Sequence, residues 1–174
     1  MLNPFATETV TFDTPVAMLI ACHDRVRQYA ALTETLVTHM AQHGADAAAI
    51  AGAQSILRYF DIAAPLHHQD EDDDLFPAML ALAQPELAAT IREITAEHDE
   101  LGALWQQVRA ALLAVVAGND NELTLTLAQE FATRYPAHAA REEDEIYPFA
   151  SALLTSEQLH VLGRSMAARR GQKV

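Results

Sequence analysis

The chain has 174 residues, 51% of them apolar and only 6% aromatic, with a formal net charge of −13 and a pI near 4.8. That is the length of one domain with a sizeable core, and its acidity argues against a nucleic-acid partner or an anionic membrane surface. No apolar run could span a bilayer, no basic segment leads into an apolar one at the N-terminus, and Cys22 stands alone, which excludes a disulfide framework and a cysteine-rich zinc site.

The expectation is a soluble, cytoplasmic protein. Alanine and leucine dominate and glycine is scarce, which favours helices. Residues 1–13 read as an irregular arm. Asp13 or Thr14 can cap a first helix with Pro15 at its opening position. That helix runs over about 14–43, with Val16, Leu19, Ile20, Val26, Ala30, Leu36, Val37 and Met40 at helical spacing. Gly44 is its stop. Asp46 caps a second helix that carries Ile50, Ala53, Ile56, Leu57 and Phe60 onward to about 82, with a kink or break expected at Pro65. Gln84-Pro85-Glu86 marks a boundary. A third helix spans about 86–117, and Gly118-Asn119-Asp120 forms a turn. A fourth starts near Glu122 and continues to about 151. Thr155-Ser156-Glu157 opens a short fifth helix over 156–170, followed by a tail.

Two stretches repeat. Pro65-Leu66-His67-His68-Gln69-Asp70-Glu71-Asp72-Asp73-Asp74-Leu75-Phe76-Pro77 overlays Pro136-Ala137-His138-Ala139-Ala140-Arg141-Glu142-Glu143-Asp144-Glu145-Ile146-Tyr147-Pro148. Both read P-x-H-x3-E-acidic-D-acidic-apolar-aromatic-P. A His and a Glu four apart lie on one helix face, so both can reach one cation. The repeat divides a single domain, 1–174, into two helical hairpins, 14–82 and 86–151. The fold class expected is all-α: an up-down-up-down four-helix bundle with a short fifth C-terminal helix.

The heights of the histidines agree with that arrangement. At about 1.5 Å per residue, His23 sits roughly 30 Å before the end of helix 1 and His67 roughly 30 to 35 Å after the start of helix 2. His98 and His138 match in the same way, at roughly 28 and 25 Å. The candidate metal ligands are therefore His23, His67, Glu71, His98, His138 and Glu142. Imidazoles and carboxylates suit Fe, Mn or Zn rather than Mg or Ca. Six side chains exceed one tetrahedral zinc and suit two metals, two His on each and the Glu pair bridging. Positions left open would take an oxo or hydroxo bridge and a small ligand.

Other residues are weighed against ordinary roles. His68 adjoins His67 but points about 100° away, which favours an outer or surface position. Tyr135, Phe60, Phe131 and Trp105 fit the core, although Tyr135 could line the pocket. His39 and His43 suit a helix C-terminus. Asp70, Asp74 and Glu145 are candidates to orient ligand imidazoles or to attract incoming Fe²⁺, and Glu97 is ambiguous.

On these residues the chain resembles the hemerythrin-like HHE cation-binding domains over roughly 15–170. The resemblance implies an oxo-bridged non-haem diiron centre. A helix 1 His is matched by His23, one H-x3-E by His67 and Glu71, a helix 3 His by His98, and the second H-x3-E by His138 and Glu142. Leu75-Phe76-Pro77 and Ile146-Tyr147-Pro148 match the motif ends. Oxygen-carrying members use five His, with H-x3-H on helix 3. Here Asp99-Glu100-Leu101-Gly102 follows His98. The four-His, two-Glu set is more like the diiron proteins linked to iron–sulfur cluster repair under nitric oxide stress. The function expected is to bind, store or sense O2, NO or iron through two iron ions, with Mn or Zn as substitutes. The alternatives are a diiron oxidase, peroxidase or iron donor in cluster repair, and a bundle with a purely structural metal. Oligomeric state is left open.

Overall fold

The computed structural model describes residues 10–119 and 121–172. Residues 1–9 of the expected arm, Asp120 of the expected turn and the last two residues of the tail lie outside them. Among the described residues the chain is all-helical, without a strand.

Helix α1 (Pro15–His43) has Pro15 in its first turn, and Gly44 ends it at φ 67°, a conformation costly for residues with a Cβ. Helix α2 (Ala47–Arg58) is capped by Asp46, whose side chain accepts from the Ala49 amide. The break expected near Pro65 takes a particular form. A wide π-helical turn, Tyr59–Ala63, leads into α3 (Ala64–Asp70), so Pro65 lands in a first turn, where its missing N–H is harmless. A second π turn, Glu71–Leu75, leads into α4 (Phe76–Leu80), where Pro77 is accommodated likewise. Helix α5 (Pro85–Val116) begins on a proline. Helix α6 (Leu125–Glu145) starts three residues later than Glu122, because the Thr124 side chain accepts from the Leu127 amide. It runs unbroken through Pro136 and stops at Ile146, where α7 (Tyr147–Leu153) begins. Helix α8 (Ser156–Arg169) opens on a capping box between Thr155 and Gln158.

The long elements pack in a ring: α1 on α6, α6 on α5, α5 on α2, and α2 on α1. The packed core consists of two apolar layers. Along each helix they flank the candidate ligands. Val26 and Ala30 on α1, Phe60 in the first π turn, Leu101 and Trp105 on α5, and Phe131 and Tyr135 on α6 belong to one layer. Leu19, Leu75, Phe76, Ile91, Ile94 and Ile146 belong to the other. His23, His67, His98 and His138 fall between these sets on their own helices. Phe60, Phe131, Leu75 and Ile146 are essentially sealed from solvent. A polar constellation between two such plugs is held dry, which strengthens every electrostatic interaction inside it. Tyr135, Phe60, Phe131 and Trp105 thus serve the core as expected. Tyr135 donates its hydroxyl to the Leu101 carbonyl at 3.1 Å.

Candidate metal centre

All six residues predicted as ligands are buried and converge between the apolar layers: His23, His67, Glu71, His98, His138 and Glu142. The liganding atoms of His23, His67, Glu71 and Glu142 lie within 4.8 Å of one another. A second group with the same spacing joins His98 and His138 to His68.

The carboxylates stand between the two groups. Glu142 Oε2 is 3.1 Å from His23 Nε2, while its Oε1 is 3.1 Å from His138 Nε2 and 3.4 Å from His98 Nε2. Glu71 Oε2 is 3.6 Å from His67 Nε2 and 3.7 Å from His98 Nε2. The ring nitrogens His23 Nε2 and His67 Nε2 face each other at 2.8 Å.

Several of these atoms lack an aligned hydrogen bond despite full burial: Glu71 Oε2, Glu142 Oε2, His138 Nε2 and His67 Nδ1. An unpaired buried polar atom costs about 1–3 kcal/mol. Glu71 and Glu142 belong to one of the two groups and His138 to the other, so cations held by the two groups would satisfy these atoms. The nitrogen and oxygen donors suit a borderline transition metal. The donor set and its orphaned atoms thus fit the metal ions that the sequence implied.

Three imidazoles are aimed from behind. His23 Nδ1 donates to Glu143 Oε1 at 2.8 Å, and Arg27 donates to the same carboxylate at 2.9 Å. His138 Nδ1 donates to Glu97 Oε2 at 2.8 Å, and Arg141 donates to the other oxygen of Glu97. His98 Nδ1 donates to both Asp72 oxygens, at 2.9 and 3.0 Å. A proton pinned on Nδ1 leaves Nε2 with its lone pair facing inward, the tautomer a metal requires.

The wiring is crosswise. Asp72 and Glu143 occupy the same position in the two repeats, yet each serves an imidazole of the opposite hairpin. The three residues expected to orient imidazoles do other work. Asp70 and Asp74 pair with arginines of the C-terminal segment: Arg169 lies 3.0 Å from Asp70 and 2.6 Å from Asp74, and Arg170 lies 2.7 Å from Asp70. Glu145 binds Arg141. His39 sits at the far end of α1 with Asp46, 2.9 Å away, and its ring packs at a tilt against that of His43.

Protonation follows from these contacts. Burial alone would lower His98, but Asp72 and Glu142 outweigh it and raise its pKa to about 9. Burial, then the charge of Glu142, pushes Glu71 well above the usual carboxylate range. Burial pushes Glu142 the same way, but His138, His23 and His98 overcome it and hold it well below. His67 and His68 are driven down chiefly by burial, His68 to about 3, so both are neutral donors. The metal-free centre thus sets an ionised Glu142 beside a protonated His98, and Glu71 is the carboxylate of the pair that is pushed toward its neutral form.

Two further residues sit against the centre: Tyr147, which the sequence did not single out, and His68, for which it favoured an outer or surface position. Tyr147 is 3% exposed. Its ring stacks on His23 with centroids 5.5 Å apart, and its hydroxyl donates to Glu71 Oε1. Burial, then Glu71, raises its pKa well above 10 and keeps the phenol protonated. In the sequence it stood only as the aromatic at a motif end. The other residue is His68, whose ring is parallel to that of His98, with centroids 4.1 Å apart. Its signal was its adjacency to His67, since neighbouring residues 100° apart can straddle the axis of a bundle.

A family profile, the hemerythrin HHE cation binding domain, matches residues 14–150. An uncharacterized protein of Haemophilus influenzae (strain ATCC 51907 / DSM 11121 / KW20 / Rd) is 31% identical over 163 residues, covering 94% of each chain. No described helix is long and apolar enough to cross a membrane.

Proposed function

We propose, from the premise that this chain belongs to the hemerythrin HHE cation binding domain family, that it is a diiron protein that binds a small diatomic ligand, O2 or NO. The observation that carries the reading is Glu142, whose two oxygens face imidazoles of different groups at 3.1 Å each. A carboxylate serving one ion would turn both oxygens, or only one, to a single set of donors. In this reading His23 and His67 would hold one ion and His98 and His138 the other, with Glu71 and Glu142 placed between the two groups. The ring of long helices, read as an up-down-up-down bundle within a single domain, fixes the four imidazoles at one level.

An iron pair supplies one-electron steps between ferrous and ferric states, which O2 and NO binding draw upon. The chain's own residues do the rest. Glu143, Glu97 and Asp72 accept from Nδ1 of His23, His138 and His98 and so aim the Nε2 atoms of these rings inward. The apolar layers exclude water. Tyr147 holds a proton on its hydroxyl, 3.4 Å from His23 Nε2 and against Glu71, where a polar ligand can accept it. A surface pocket lined by Glu100, Arg134, Arg141 and His138 reaches the edge of the centre and offers a small molecule an entry.

The test is metal content after anaerobic purification, followed by the visible spectrum on admission of air and then of NO. Two irons per chain with reversible spectral change establish ligand binding. Two irons with irreversible change establish the oxidase or repair class. One tightly held zinc refutes the reading in favour of a structural metal.

A further inference from the structure

We infer that His68 is a fifth imidazole ligand, so that the vicinal pair His67-His68 divides between the two ions. The inference rests on the two-ion reading above and adds to it a residue and an asymmetry.

His67 and His68 open in different directions within one turn of α3. His67 Nε2 meets His23 Nε2 at 2.8 Å. His68 turns to the opposite hairpin. Its ring centroid is 4.1 Å from that of His98 and 5.9 Å from that of His138, while those two rings are 4.9 Å apart. One nitrogen from each of the three lies within 4.8 Å of the others. With metal–nitrogen bonds near 2.1 Å, donors at right angles on one ion are roughly 3 Å apart and opposed donors roughly 4.2 Å. To ligate the same ion, His68 would rotate out of its parallel stack on His98, because each ring binds through a lone pair lying in its own plane.

The turn between His67 and His68 makes this division possible. α3 lies between two π turns. An ideal helix would aim one histidine at the core and leave its neighbour on the flank. Here the segment presents the gap between the two residues to the bundle interior. The helix carrying His98 has no second histidine one turn on, and His68 supplies an imidazole beside His98 from α3. The ion pair is then unequal: three imidazoles on the side of α5 and α6, two on the side of α1 beneath Tyr147.

The experiment uses the full chain and the variants His68→Phe, His68→Ala and His138→Ala. Phe preserves the stack on His98 without a donor nitrogen. Each protein is loaded anaerobically with Fe²⁺, its metal counted, and its Mössbauer spectrum recorded. If His68 ligates, the wild type gives two unequal iron sites. Both His68 variants then weaken one ion by on the order of a hundred-fold, at least the loss a displaced supporting residue causes. Added imidazole restores that ion in His68→Ala. If His68→Phe keeps two irons with unchanged affinity and spectrum while His138→Ala loses one, the inference is overturned and the two-ion reading stands. If the wild type holds fewer than two irons, both fall.

Discussion

His98 should make metal binding strongly pH-dependent, and the size of the effect follows from its contacts. In the metal-free chain Asp72 and Glu142 raise it to about 9 against the opposing effect of burial, so a metal ion must expel its proton. At pH 7 that costs about 3 kcal/mol, at about 1.4 kcal/mol per unit of pKa. Affinity should therefore rise about ten-fold per pH unit up to about 9 from this group alone. The metal-free protein should respond in the opposite sense. A raised folded-state pKa gives stability that is fully present below the ordinary histidine value near 6.5 and lost as pH rises through about 9. Zinc competition against a chromophoric chelator between pH 6.5 and 9.5, with proton release measured in weak buffer, reads the first effect. Urea unfolding of the metal-free chain reads the second. In Asp72→Asn the break in the affinity curve should move to lower pH, by an amount tempered by the solvent exposure of Asp72. An affinity that is flat across this range, or binding without proton release, would refute the charge state assigned to the centre.

Three further outcomes are expected. His67→Ala should fall below two bound irons per chain by elemental analysis, whereas His39→Ala and His43→Ala should leave metal content unchanged, since both lie far from the centre along α1. Tyr147→Phe should keep its metal but lose the hydrogen bond to Glu71, lowering stability by about 1–2 kcal/mol in urea unfolding and altering the visible spectrum of the iron-loaded protein; an unchanged spectrum would count against the phenol's place at the centre. Gly163→Ala should destabilise by about 1–3 kcal/mol, because a Cβ there would strike the Phe12 carbonyl, which is backbone and cannot swing aside; thermal melting checks it.

The repeated motif carried most of the centre within the sequence. His67 with Glu71 and His138 with Glu142 declared themselves by spacing, and helix length alone levelled His23 and His98 with them. What spacing could not carry was azimuth. The 100° step that favours an outer position for His68 does not foretell that its ring stacks on His98, because it does not say where the bundle axis falls between two adjacent side chains. The π turns around α3 were also hidden, because Pro65 and Pro77 announce only that the backbone must adjust. The acidic runs misled in a different way. Asp72 and Glu143 were recognised as equivalents, yet Asp70, Asp74 and Glu145 looked equally fit to support imidazoles. The difference lies in partners far along the chain: Arg169 and Arg170 take Asp70, and Arg141 takes Glu145.

The crosswise hydrogen bonds make neither hairpin self-sufficient. Asp72 fixes the tautomer of His98, and Glu143 fixes that of His23. A nick in the short connection before α5 would yield two fragments, each carrying the other's missing carboxylate. The first fragment could not present His23, nor the second His98, with its supporting carboxylate in place until it found its complement. Assembly and metal readiness are thereby a single event, and the centre reports whether the whole chain has come together.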